Sequence, residues 1–205
     1  MLRPRVAMQG VTLVELLVAM TIVAVLLGLG LPSISTYLQS SKLASTAQGY
    51  LAGVQTARAE AIRRNLPVQF VLTDTPVDAI DIANTAVAAV NGKNWIVRVM
   101  DSTLLPPAFV LIESKASAEG AFSTTVPSVQ IAGTGAPTAF IGVVPFNGFG
   151  ATADLSNYQL DLWNPAGGAC APAGPMHCPR ILIPSGGLIH LCDPTVSALN
   201  DSRGC

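Results

Sequence analysis

The chain has 205 residues, of which 50% are hydrophobic and 11% are charged, and its formal net charge at pH 7 is −1. Ordinary globular proteins carry about 25% charged residues. The near-zero net charge excludes a general electrostatic attraction to nucleic acid or to anionic lipid. The length allows one domain, or two small ones, with an appendage.

The N-terminal segment has the composition of a membrane anchor. Residues 1–10 contain Arg3 and Arg5 and no acidic residue, and residues 11–31 are apolar except for two threonines and Glu15. About 20 helical residues span a hydrocarbon layer of ~30 Å, so this run is long enough to cross it. A cleaved secretory signal has a shorter apolar core, and the two arginines predict a cytoplasmic N-terminus. We therefore expect a transmembrane helix over residues 11–31.

The helical pattern continues beyond the apolar run. Apolar residues recur mostly at three- and four-residue steps up to Ile62, which predicts an amphipathic helix. Pro67 disfavours helix at the residue before it, so the helix should end near Asn65. A continuous helix over residues 11–65 would be about 80 Å long.

After Pro67 the pattern changes to short strands separated by Gly, Pro, Asn and Ser clusters. Residues 74–92 are predicted to form a variable loop with one helical turn. Ser185-Gly186-Gly187 is predicted to be a hairpin turn. The predicted strands are 68–73, 95–100, 109–113, 126–131, 139–144, 158–163, 180–184 and 188–192.

All four cysteines lie near the C-terminus: Cys170, Cys178, Cys192 and Cys205. An even number of cysteines in an exported domain predicts two disulfides. We favour Cys170–Cys178 with Cys192–Cys205, which would close a loop and hold the C-terminal tail. A Cys178–Cys192 pair stays open, because these residues lie near opposite ends of one predicted hairpin. A zinc site with His177 and His190 is disfavoured, because no cysteine pair has the C-x2-C spacing.

The sequence contains no motif that indicates catalysis. There is no G-x-S-x-G, H-E-x-x-H, phosphate-binding or dinucleotide-binding pattern. We therefore expect no enzymatic activity, no cofactor and no metal. Trp95 and Trp163 are expected in the core, and His190 is expected to be a half-buried histidine of an alternating strand.

A short motif at the start of the apolar run resembles the cleavage site of type IV prepilins. Gly10-Val11-Thr12-Leu13-Val14-Glu15-Leu16 is similar to the family pattern of Gly followed by F-T-L-x-E-L, with Val11 in place of Phe, and Pro32 lies where pilins often carry a helix-kinking proline. The resemblance implies that a prepilin peptidase cuts between Gly10 and Val11 and that the new N-terminus at Val11 is methylated. Residues 1–10 would then be a leader, residues 11–65 the helix and residues 66–205 a β-rich head.

Glu15 is the single charge within the predicted span. The resemblance implies that its carboxylate pairs with the N-terminal amine of a neighbouring subunit in a filament. An unpaired carboxylate in an apolar bundle costs several kcal/mol, so this pairing would set the axial register of the subunits.

A second resemblance identifies a narrower group. Residues 57–65 read ARAEAIRRN and are similar to a segment of the FimT/FimU/GspH minor pilins and pseudopilins. The resemblance implies an α+β pilin fold, with a long N-terminal helix packed on a β-rich head. It also implies a single-pass inner-membrane protein with a periplasmic head that enters a pilus or pseudopilus. The implied partners are the prepilin peptidase, other minor and major pilins or pseudopilins, and membrane lipid.

The C-terminal hairpin bears on the function. Residues 180–194 resemble the last hairpin of FimT-like proteins, whose DNA-binding members carry G-R-x-R where this chain has Gly187-Leu-Ile-His190. Phosphate contacts depend on Lys and Arg, so weak DNA contacts would be left to Arg180, His190 and Arg203. We expect a minor type IV pilin that primes or caps pilus assembly. The alternative is a GspH-like minor pseudopilin of a type II secretion system, and the third is a FimT-like DNA receptor for natural transformation.

Overall fold

The computed structural model describes residues 12–116, 126–132, 142–164, 168–197 and 201–205, and the side chains of these residues except at 29–35 and 126–132. Within these residues, one long helix is followed by eight strands and one short helix. The leader 1–10 and Val11 lie outside the described residues.

Helix α1 runs over Leu13–Arg64 and has 52 residues. Its first turn is capped by Thr12, whose Oγ1 accepts a hydrogen bond of 3.2 Å from the Glu15 N–H. It ends at Asn65, which has left-handed backbone angles (φ 52°, ψ 38°), and Leu66 N–H donates to the Ala61 carbonyl at 3.3 Å. A residue in this conformation, followed closely by a proline, is a common helix ending.

The second half of α1 packs on the head along one stripe. The stripe repeats at three- and four-residue steps and consists of Leu43, Ala47, Tyr50, Val54, Ala57 and Ala61, all buried. A Cβ at Gly53 would lie 2.9 Å from the Trp95 ring. The lack of a side chain at Gly53, next to this stripe, therefore lets the helix approach the sheet closely.

The head contains two four-stranded antiparallel sheets. The first has the order β3-β2-β1-β5 and the second β4-β6-β7-β8. The strands are β1 Val68–Thr73, β2 Asn94–Asp101, β3 Ala108–Lys115, β4 Val126–Ala132, β5 Val143–Phe146, β6 Asn157–Trp163, β7 Arg180–Ile183 and β8 His190–Cys192, and α2 is Ile82–Thr85.

One hydrophobic core joins the helix to both sheets. Phe70 and Phe146 of the first sheet and Leu160 and Ile181 of the second are fully buried in the same cluster as the α1 stripe. A smaller cluster on the first sheet packs against α2. Burial against α1 therefore joins the two sheets into one core.

The strands match the predicted segments to within a few residues, and the ends of β5 and β8 are among the differences. Strand β5 is Val143–Phe146, whereas the prediction was 139–144, of which 139–141 lie outside the described residues. Strand β8 begins at His190 rather than Leu188. Gly187 has a φ of +78° and packs against the Gly150 backbone. Residues 188 and 189 therefore belong to the connection before β8 and not to the strand.

Two expectations about burial were wrong. Trp163 is 46% exposed, because β6 alternates and turns Tyr158, Leu160 and Leu162 inward. His190 is exposed rather than half-buried. Trp95, by contrast, is in the core at 3% exposure.

No helix within the part of the chain that the structure describes is long and apolar enough to cross a membrane. The span predicted over residues 11–31 includes residue 11 and the side chains of residues 29–31, which lie outside that part.

Candidate filament-assembly surfaces

The first half of α1 projects a continuous apolar surface. Between Leu13 and Leu27, eleven large apolar side chains are 49% to 80% exposed. Soluble monomers rarely expose contiguous apolar patches larger than a few hundred Å². This half of the helix therefore requires an apolar environment, such as lipid or neighbouring helices.

Glu15 lies at the start of this apolar surface. It is in the first turn of α1, where the helix dipole favours a negative charge, and its side chain is exposed. Among the described residues, none forms an ion pair with its carboxylate. The carboxylate is therefore accessible to a group beyond the described residues. Gly10 and Val11, the predicted cleavage site, lie outside the described residues.

The other end of α1 carries a small ion-pair cluster. Arg63 Nη2 and Arg64 Nε lie 2.6 Å and 2.7 Å from Glu60 Oε2. These two hydrogen bonds, that of Arg63 first, lower the pKa of Glu60 from 4.5 to about 2. The basic residues also face the negative end of the helix dipole, so the cluster stabilises the last turn.

Two segments of the head meet at this end of the helix. Arg58 Nε donates to the Gly150 carbonyl at 3.0 Å. A Cβ on Gly150 would lie 2.6 Å from Ile62 Cδ1, and one on Gly187 would overlap the Gly150 carbonyl oxygen. Helix α1, the loop after β5 and the β7–β8 turn therefore share one contact point, and sequence reasoning missed it.

The disulfides are Cys170–Cys178 and Cys192–Cys205, with Cα–Cα distances of 5.6 Å and 5.2 Å. The favoured pairing is thus confirmed, and a Cys178–Cys192 bond is wrong. All four sulfurs are bonded, so none is available as a thiolate ligand for zinc. The second disulfide holds the C-terminal tail beside β8, together with a hydrogen bond of 2.7 Å from Asp193 N–H to the Arg203 carbonyl.

The residues suggested for weak DNA contacts are not arranged as a free basic patch. Arg180 of β7 forms an ion pair with Asp161 of β6, and Arg203 Nη2 lies 2.6 Å from Asp201 Oδ2. The Arg203 bond lowers the pKa of Asp201 to about 2. His190 lies opposite Leu182 across the β7–β8 pair. Both arginine charges are therefore balanced within the head, which does not favour phosphate binding.

Two exposed apolar side chains near the shared contact point were also missed. Phe149 is 88% exposed and Leu188 is 72% exposed. A signal for Phe149 exists in the sequence, since it lies between two glycines in FNGFG, which is typical of a surface turn. Nothing in the sequence indicated that this turn would lie beside Leu188.

A long helix with an exposed apolar first half, and a second half packed on an antiparallel β head, defines a pilin-like subunit. Residues 46–162 match the family model described as "Type II transport protein GspH", and residues 6–31 match the "Prokaryotic N-terminal methylation motif". The first match covers more than half of the sequence, so the chain belongs to the GspH family. Members of this family of pilins and pseudopilins are structural and non-catalytic, and they associate with other pilin-like subunits.

A solved structure supports the pilin fold. The chain is similar to the crystal structure of the type IV minor pilin FimU of Pseudomonas aeruginosa (strain PAO1), with a TM-score of 0.50 and 14% sequence identity. The match covers 76% of this chain and 91% of that chain. At this identity the likeness concerns the fold alone. No curated protein sequence matches the chain.

Proposed function

We propose that the protein is a minor type IV pilin, a non-catalytic subunit that primes pilus assembly or occupies the pilus tip. The observation that carries the proposal is the exposed apolar half of α1, continuous with a helix that is built into the core of the head. Such a subunit can hold its head outside the membrane while its helix packs with other helices. The GspH and N-terminal methylation matches and the fold of a minor pilin support this role.

In this proposal the assembly mechanism begins with the prepilin peptidase. The peptidase removes residues 1–10 and Val11 becomes the methylated N-terminus. Residues 11–31 hold the subunit in inner-membrane lipid, with the head in the periplasm, until the subunit enters the filament. Inside the filament the apolar helices pack together, and Glu15 pairs with the N-terminal amine of a neighbour, because an isolated carboxylate there is costly.

A second candidate is a minor pseudopilin at the tip of a type II secretion pseudopilus. The observation in its favour is the family model itself, whose description is that of a type II transport protein. The two candidates share the cleavage, the anchor and the helix packing. They differ in the process that fails when the subunit is missing.

The deciding experiment is a deletion strain of the producing organism, scored in parallel for surface pili, secreted exoproteins and DNA uptake. We expect pili to be lost and secretion to be normal, with recovery on complementation by the wild-type chain. Complementation with Gly10→Val, which should block the peptidase, is expected to fail. Loss of secretion alone would favour the pseudopilin, loss of uptake with pili intact would favour a DNA receptor, and no change in any readout would overturn the assembly role.

A further inference from the structure

An exposed apolar patch lies at the C-terminal end of α1, far from the exposed apolar half of the same helix. It consists of Ile62, Phe149 and Leu188, which are 48%, 88% and 72% exposed. We call these three side chains the distal patch. Each comes from a different segment, and the segments meet at Gly150, so the patch is a product of the tertiary structure.

The segments that carry the patch are held by hydrogen bonds. Asn147 Oδ1 accepts from the N–H of Phe149 at 3.0 Å and from that of Ala151 at 3.2 Å. Thr152 N–H donates to the Ser185 carbonyl at 3.0 Å and so ties the loop to the β7–β8 turn. A side chain presented by an ordered loop loses less conformational freedom on binding, which favours a role in recognition.

The position of the patch separates it from the membrane anchor. Ile62 follows Leu27 by 35 residues in the continuous helix α1, a distance of about 50 Å at 1.5 Å per residue. A hydrocarbon layer of ~30 Å that covers the first half of α1 therefore cannot also cover the distal patch.

The charges around the distal patch indicate the charge that its partner should carry. Arg58, Arg63 and Arg64 lie on the last turns of α1 beside Ile62, with Glu60 as the one acidic residue among them. This part of the rim is therefore cationic. A stable interface has an apolar centre and a polar rim, and complementary charge favours a partner whose rim is acidic. Two copies of this chain joined patch to patch would bring like charges together.

We propose that the distal patch docks the head of a different filament subunit, one with an apolar centre and an acidic rim. The inference rests on the proposed function and identifies the head surface that carries out assembly. Phe149 is the anchor side chain of this contact, and Leu188 and Ile62 flank it. Large aromatic anchors of this kind contribute most of the binding energy in many interfaces.

The first test uses a photo-cross-linking amino acid at position 149 in the full-length chain, expressed in the deletion strain. A matched control carries the same amino acid at position 80, where Ile80 is 93% exposed on the segment before α2. We expect an adduct from position 149, and not from position 80, with the head of another pilin-like subunit, identified by mass spectrometry. No adduct, an adduct with a second copy of this chain, or an adduct with a protein that is not a filament subunit would overturn the proposal.

The second test uses Phe149→Asp and Leu188→Asp, with Ile80→Asp as the matched control. Both patch side chains are largely exposed, so the variants should fold and keep their disulfides, which non-reducing gels verify. We expect incorporation into sheared filaments to fall about tenfold or more for Phe149→Asp, as for loss of an anchor residue, and to be unchanged for Ile80→Asp. Arg63→Gln should lower the cross-linking yield from position 149. Incorporation of Phe149→Asp at the wild-type level would overturn the proposal.

The two proposals fail in different ways. If the deletion strain loses pili while Phe149→Asp restores them fully, the minor-pilin function stands and the docking surface is wrong. If the deletion changes neither pili nor secretion, the assembly function itself is wrong.

Discussion

Gly187 has a φ of +78°, a backbone conformation that side-chain-bearing residues rarely adopt, and a Cβ there would overlap the Gly150 carbonyl oxygen. Gly187→Ala should therefore strain the turn and push it away from the loop after β5. We expect the free energy of unfolding to fall by about 2–4 kcal/mol, which for a chain of this size lowers Tm by about 5–15 °C. The measurement is thermal unfolding of the full chain in detergent, followed by circular dichroism.

The neighbouring glycine is a matched control for this prediction. A Cβ on Gly186 would meet nothing within 4 Å, so Gly186→Ala should change stability by no more than about 0.5 kcal/mol. Equal effects of the two substitutions would mean that the packing of Gly187 on Gly150 does not stabilise the head.

At the scale of elements, the stability of the C-terminal end of α1 should depend on pH because of the ionisation of Glu60. Folding lowers the pKa of Glu60 from 4.5 to about 2, so its contribution to stability is fully present above pH 4.5 and is lost as the pH falls toward 2. Because Arg63 is 63% exposed, solvent screens the pairs and their contribution to stability should be small. Calorimetry across this range should find that wild type exceeds Glu60→Gln in Tm at pH 7 and that the difference disappears near pH 2. A difference that stays constant with pH would contradict this assignment.

The C-terminal tail is a second element whose stability can be tested. The Cys192–Cys205 disulfide spans 13 residues, and closing such a loop stabilises a fold by about 3 kcal/mol in the chain-entropy model. Cys192→Ser with Cys205→Ser should expose residues 201–205 to carboxypeptidase, measured by mass spectrometry. Cys170→Ser with Cys178→Ser removes the other disulfide and should leave the tail resistant. Equal digestion of the two variants would mean that the tail is held by other contacts.

At the scale of the whole molecule, we propose that Glu15 links one subunit to the next. Glu15→Gln removes the charge and keeps the shape, so the subunit should accumulate in the membrane but enter filaments poorly. Thr21→Val is the control, because Thr21 only bonds within its own helix, to the Val18 carbonyl at 2.8 Å. Immunoblots of membranes and sheared filaments make the measurement. If Glu15→Gln enters filaments as well as wild type, the register role is wrong.

The local features of the molecule could be predicted from the sequence. Helix α1 ends at Arg64, close to the end that Pro67 predicts. The periodic positions from Leu43 to Ala61 are those that pack on the head. The cysteine pairing was favoured correctly because it closes a loop and holds the C-terminal tail. These features depend on the order of neighbouring residues.

The sequence by itself determined the long amphipathic helix, the β-rich head and the pilin class, because helix periodicity, strand alternation and the N-terminal motif are local patterns. Only the tertiary structure decided which strands share a sheet, that Trp163 faces outward and that Arg180 is paired with Asp161. It also brought Arg58 to Gly150 across 92 residues and so created the distal patch. The physical reason is that these contacts arise from strand pairing and from burial against α1, which join residues that no local pattern relates.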